Sequence, residues 1–312
     1  FGAQTHKDFV SAVKQLTEQG LSTLVIDLRG NGGGYLNAAT AIADELLPDG
    51  LPIVYTQGAH QQKTESKSSS GGCFETQALY ILIDEESASA SEILAGAIQD
   101  NDRGTIIGRR SFGKGLVQDQ ITLHDGSVLR LTVARYYTPT GRCIQRPYEP
   151  GKHEAYEHES IERYTNGELF DSVTTKQNKT TVFKTPKGKR VYGGGGISPD
   201  ILIALDTVRK FPKNKISYRD LQYACASYVQ MQKTKRIQAF NSKTVFLNHY
   251  VPDMLFKKYT STVLSTSIHW NATLLDLCKA YMGRFAFDDI IYYTLISESD
   301  DVIKKMKKEL QY

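Results

Sequence analysis

Within a chain of 312 residues, one short stretch holds Ser87, Ser89 and Ser91, then Lys114 between two glycines, then Gln118. The chemistry these residue types support is acyl transfer. A serine hydroxyl is a weak nucleophile and needs a base to take its proton. A lysine amine has a reference pKa of about 10.4, so it serves as a base only where desolvation keeps it neutral. Phe112, Leu116 and Val117 give Lys114 an apolar neighbourhood in sequence. In an extended chain residues 114, 116 and 118 share a face. A helical turn would also put 114 and 118 on one side, so Gln118 lies beside Lys114 in either geometry.

The elements that must position these groups are visible around them. Leu79–Ile83 is apolar throughout and predicts a buried strand. The serine run then opens a small-residue helix through Ile93, Ala95, Gly96 and Ala97. A serine at such a strand-to-helix turn has backbone N–H groups aimed outward, toward a bound anion. Ser87 is a plausible helix N-cap, and Ser91 would turn away from Ser89 on a helix. Upstream, the apolar strand Leu21–Leu28 runs into Gly30–Gly34 and a helix over Leu36–Leu47. Strand, glycine-rich turn and helix in that order favour an anion cradle, although a mobile loop has the same composition.

Four blocks together carry a resemblance. They are Val25–Gly34, the run Ser87–Asp100, Gly108–Gln118, and Tyr192–Asp200 with its four glycines. In this order they resemble the carboxy-terminal processing peptidases, also called tail-specific proteases. The resemblance implies a serine–lysine dyad: Ser89 as nucleophile, Lys114 as general base, and Gln118 orienting the lysine. It also implies an oxyanion hole from the amide of Ala90 and a glycine amide of the upstream loop, taken as Gly33 with Gly34 the alternative. The implied fold is an α/β one, a crotonase/Clp-protease-like ββα core followed by a mostly helical C-terminal region. The implied setting is an exported protein of the cell envelope or periplasm that meets protein substrates through their C-terminal tails. No cofactor and no metal are implied. Self-association into a homo-oligomer is left open.

The remainder of the chain agrees with an α/β core over residues 1–205. A helix is expected over 6–19, a short strand over Pro52–Thr56 and a polar hairpin or loop over 57–76. Gly104–Gly108 reads as another strand, and 116–123 with 127–137 as a hairpin turning at Asp125-Gly126. Residues 138–190 read as loop-rich and polar. The glutamates and histidines of 153–163 are irregularly spaced, which favours an exposed surface over a metal site. After Asp206 the pattern turns helical, with segments expected at Tyr218–Gln232, Thr244–Lys258, Thr273–Met282 and Asp300–Leu310. The chain begins within the catalytic core, and the signal, anchor and PDZ domain usual ahead of such cores do not appear in it.

Composition narrows the field. Apolar residues make up 40% and charged residues 23%, with a formal net charge of +4. These values suit a globular protein with a sizeable core and argue against a nucleic-acid binder. The lysines of 304–308 read as the solvated face of a terminal helix. No apolar run reaches the length of a membrane span. Cys73, Cys143, Cys225 and Cys278 form no C-x-x-C pair, so zinc and thioredoxin-like readings fail on spacing. An even number permits disulfides without showing them.

Four rival functions remain. Gly108–Gly115 approaches a Walker A loop, but Gly115 stands where the magnesium-binding Ser or Thr belongs, and a strand follows. A crotonase-type acyl-CoA enzyme would share fold and oxyanion logic but uses acidic residues instead of a serine–lysine pair. A catalytically inactive peptide-binding member of the same fold would keep the blocks without turnover. A Ser-His-Asp triad is open by sequence distance alone, yet none of the seven histidines lies in one of the four blocks.

Overall fold

A computed structural model describes residues 1–148, 153–170, 181–205, 217–235 and 238–310. In chain order the first unit contains α1 (Thr5–Glu18), β1 (Thr23–Asp27), α2 (Leu36–Asp44), β2 (Pro52–Gln57), β3 (Thr64–Lys67), β4 (Ala78–Ile83), α3 (Ala90–Asp100) and β5 (Thr105–Gly108). It continues with β6 (Leu116–Thr122), β7 (Val128–Tyr137), α4 (His153–Thr165), β8 (Val182–Lys184), β9 (Arg190–Tyr192) and β10 (Ile201–Leu202). Contacts divide the chain into two compact units, Phe1–Leu205 and Asp206–Tyr312.

The first unit has a two-stranded sheet, β8 with β9, and two four-stranded sheets. One of the latter is parallel, ordered β1-β4-β5-β10, and the other antiparallel, ordered β3-β2-β7-β6. Parallel strands are covered on both faces, which is why β4 reads as an unbroken apolar run. Ile81, Leu82 and Ile83 are fully buried. The polar segment after β2 does form a hairpin, with β3 pairing antiparallel to β2. The β6–β7 hairpin turns through Asp125-Gly126, closed by Leu123 N–H donating to Ser127 O at 2.8 Å.

Helix α3 is buried along its whole length. A helix enclosed on all sides needs side chains that are small or apolar, or polar ones whose groups are bonded. Ala90, Ala95, Gly96 and Ala97 meet that condition, and a Cβ on Gly96 would come within 2.8 Å of Thr138 Cγ2. Its C-terminal end is held by a buried ion pair, Arg142 Nη2 to Asp100 Oδ1 at 2.6 Å.

The second unit is helical: α5 (Tyr218–Thr234), α6 (Lys243–His249), α7 (Met254–Val263), α8 (Ala272–Ala286), α9 (Asp289–Ser299) and α10 (Asp301–Glu309). The single helix expected over Thr244–Lys258 is two helices. Tyr250 is extended at the end of α6, and Asp253 caps a new helix by accepting Phe256 N–H at 2.9 Å. Helix α9 was not expected at all. Asp288 starts it by accepting Ile291 N–H at 3.1 Å. An aromatic core fills the unit, with Phe246 stacked on Tyr250 and Tyr228 edge-on to Phe256. All four cysteines are free thiols.

Candidate active site

Ser89 lies on the turn from β4 into α3 and is the N-cap of α3. Its φ is 56° and its ψ −114°. A non-glycine residue in that region carries strain on the order of 1–3 kcal/mol, and such residues cluster at functional sites. The side chain is half-buried and Ala90 behind it is buried. As the first residue of α3, Ala90 has no preceding turn to receive its amide, which donates to no acceptor among the described residues.

The glycine-rich loop presses against this turn. Gly33 has φ +103°, and a Cβ there would lie 2.7 Å from Ala88 O, 2.8 Å from Ser89 Cβ and 3.0 Å from Ala90 N. Only glycine fits. The Gly33 amide itself donates to Asn31 Oδ1 at 3.0 Å. Asn31 O accepts both Ala88 N–H at 3.1 Å and Ser91 Oγ at 2.8 Å. Ser91 therefore fastens the glycine loop to the serine turn. Ser87 is not the helix cap that its position suggested. It is fully buried, and its hydroxyl donates to Leu28 O at 2.8 Å while accepting Asp84 N–H at 2.9 Å.

Lys114 lies in the connection between β5 and β6. Phe112 N–H donates to Ser87 O at 3.0 Å, and Ser111 N–H to Ile197 O at 3.0 Å. The later glycine block thus backs the lysine loop, and Arg110 Nη1 adds a bond to Gly195 O at 2.6 Å. Gln118 is exposed on β6, opposite Thr132. Among the described residues no hydrogen bond joins Ser89 Oγ to Lys114 Nζ, and none joins Gln118 to Lys114.

Glu92 joins the serine and lysine loops instead. It is the third residue of α3 and only 1% exposed. Its Oε2 accepts Ser89 N–H at 2.9 Å and Lys114 N–H at 2.8 Å, and its Oε1 accepts Gly113 N–H at 2.7 Å and the Ser111 hydroxyl. Burial pushes its carboxyl upward, opposed by those donors. On the carbonyl side the buried Tyr136 hydroxyl donates to Lys114 O and lies 3.2 Å from Ser89 O. Neither Glu92 nor Tyr136 stood out in the sequence. The available signal was the Ser89-x-x-Glu92 spacing of a capping box.

Proteins similar to the first half of the chain are known. Residues 1–151 match the model of peptidase family S41. A carboxyl-terminal-processing protease from Synechocystis is 45% identical over 146 residues, 47% of this chain and 34% of the relative. The S41 stretch carries the glycine loop, the serine turn, Lys114 and Gln118. Carboxyl-terminal-processing peptidase 1 of Arabidopsis chloroplasts is 37% identical over 139 residues, 45% of this chain and 28% of the relative. The chain thus spans about a third of the length of the curated relatives it matches. A solved photosystem II D1 C-terminal processing protease aligns over 65% of this chain and 40% of its own, at 28% identity and TM-score 0.47. No described helix is long and apolar enough to cross a membrane, and the described residues hold no cluster of metal-ligating side chains.

Proposed function

We propose that the protein is a serine endopeptidase that cleaves protein substrates near their C-termini, with residues 1–205 as its catalytic unit. Ser89 attacks the scissile carbonyl. Lys114 takes the hydroxyl proton and returns it to the leaving amine. Gln118 orients the lysine. The Ala90 amide receives the oxyanion, joined by the Gly33 amide as it exchanges Asn31 Oδ1 for the substrate oxygen. Export to the cell envelope belongs to the same proposal.

The observation that carries this reading is the strained Ser89, a non-glycine residue at positive φ on a strand-to-helix turn. Such a turn lifts a hydroxyl out of the chain and points helix N-terminal amides at the same space. The S41 match and the names of the relatives supply the substrate class. An inactive peptide-binding member would have no need of that strain.

A serine-directed fluorophosphonate, with the adduct located by mass spectrometry, tests the proposal. The label is expected on Ser89, and Ser89→Ala is expected to lose peptide hydrolysis with its fold intact. Full hydrolysis by Ser89→Ala, with loss in Ser87→Ala instead, would assign the nucleophile elsewhere.

A further inference from the structure

Behind the lysine loop stands an element that lies outside the S41 match. Helix α4 places Glu159 and Arg163 four residues apart, hence on one face. His158 and Glu162 are exposed and Glu159 is half-buried, so the described glutamates and histidines of this stretch keep to the surface, but Arg163 is turned inward. Arg163 is 4% exposed. Its guanidinium donates to Arg110 O at 2.6 Å and to Ser111 O at 3.1 Å. Both carbonyls belong to the segment that leads into Lys114.

The guanidinium is itself held. Arg163 Nε donates to Glu168 Oε1 at 3.1 Å, and Glu168 also takes Arg110 Nε at 2.7 Å and Arg110 Nη2 at 3.0 Å. Glu159 reaches Arg146 at 3.2 Å and Arg110 at 3.7 Å. Arg146 in turn lies over the Phe112 ring, 4.1 Å from its centroid, and its amide donates to Gly113 O at 3.0 Å. From Ser111 the path continues inward, because its hydroxyl donates to Glu92, which holds the amides of Lys114 and Ser89.

We propose that Arg163 is a positioning residue for the peptidase reaction, bracing the Lys114 loop from behind through the Arg110 and Ser111 carbonyls. The inference rests on the peptidase reading. A planar guanidinium with several donors in a fixed fork bonds two carbonyls and a carboxylate together. A lysine at the same place keeps the charge but offers one point of attachment. Burial makes the loss of this donor set costly for the loop, since both carbonyls would lose their partner away from water. Arg163 is 4% exposed and reaches the loop only through the carbonyls of Arg110 and Ser111, so its removal should act on the geometry of the base more than on substrate binding. A displacement near 1 Å at a reacting group costs a rate factor on the order of 100.

The test compares wild type, Arg163→Lys and Arg163→Ala in peptide hydrolysis, with amide hydrogen exchange over residues 110–115. For Arg163→Ala the expected result is a kcat about 10–100-fold lower with KM within about threefold. Exchange of the Gly113 and Lys114 amides should rise at least about tenfold. Arg163→Lys should fall between the two, and it carries the test if the alanine variant does not fold. Wild-type kcat and wild-type exchange in the folded variants would overturn the brace, as would a loss confined to KM. A wild type that neither hydrolyses peptides nor labels at Ser89 would instead remove the peptidase reading, and the brace would fall with it.

Discussion

The backbone amides of Ser89 and Lys114 end on the same oxygen, Glu92 Oε2, at 2.9 and 2.8 Å. Two loops from different connections, one after β4 and one after β5, are thereby fixed to one atom. The distance between their backbones is set by a rigid, buried helix and does not depend on the side chains that do chemistry. Sites held on such elements are positioned more finely than sites on loops alone.

Glu92→Gln should break this coupling. The amide offers one oxygen, so two of the four donors that Glu92 now satisfies would face an NH2 group. Each buried donor left unpaired costs about 1–3 kcal/mol, which is about 2–6 kcal/mol for the pair. Thermal melting and kcat, both measured where the variant is folded, should fall together. A variant within about 0.5 kcal/mol of wild type in denaturant melts would mean that the carboxylate is not what holds the loops.

Acid should act through the same carboxyl. Burial raises Glu92 above its ordinary value of 4.5, against the pull of Ser111, Lys114, Gly113 and Ser89. For a raised folded value, the stability linked to the proton is full below the unfolded value and is lost as pH rises through the folded one. Activity has the opposite need. Ser89, Gly113 and Lys114 present N–H groups that cannot accept, so the proton of a neutral Glu92 must either turn to the Ser111 hydroxyl, reversing that bond, or displace one of the amides. Below the limb set by the Lys114 amine, the pH–rate profile should therefore fall more steeply than one proton allows, with a second midpoint above 4.5. A midpoint at or below 4.5 would separate Glu92 from catalysis.

Much of this was legible beforehand. The strands β1 and β4, the helix α3 and the β6–β7 hairpin follow from apolar runs, small residues and an Asp-Gly turn. Ser89 and Lys114 were visible as residue types, and the glycine loop as a breaker between strand and helix. Glu92 was hidden because a glutamate in the first turn of a helix reads as an ordinary cap, and burial is a property of what packs over it. Arg163 and Glu159 were hidden for a related reason. They fall in a stretch that reads as polar and loop-rich, and only the helix α4 and long-range contacts with Arg110 and Ser111 turn Arg163 inward. Over Thr244–Lys258 the apolar periodicity continued through Pro252, while the Asp253 cap broke the helix in two.

Gly33→Ala should be severe for a local reason. The residue sits at φ +103°, and the added methyl would meet Ala88 O at 2.7 Å and Ser89 Cβ at 2.8 Å. Either the glycine loop or the serine turn must move. Loss of one oxyanion donor costs a factor of about 100–1000 in kcat. The expected outcome is a loss of that order in peptide hydrolysis, with the melting temperature lowered by a few degrees only. Wild-type turnover would place the oxyanion site away from Gly33.

The dyad claim is tested most directly by the rate of peptide hydrolysis in Lys114→Arg relative to wild type. Arginine keeps the positive charge and nearly the length of lysine, but its guanidinium does not deprotonate in proteins. If the Lys114 amine is the base for Ser89, hydrolysis by Lys114→Arg should fall to the level of Ser89→Ala while the folded state persists. Hydrolysis by Lys114→Arg within about tenfold of wild type would contradict the serine–lysine mechanism.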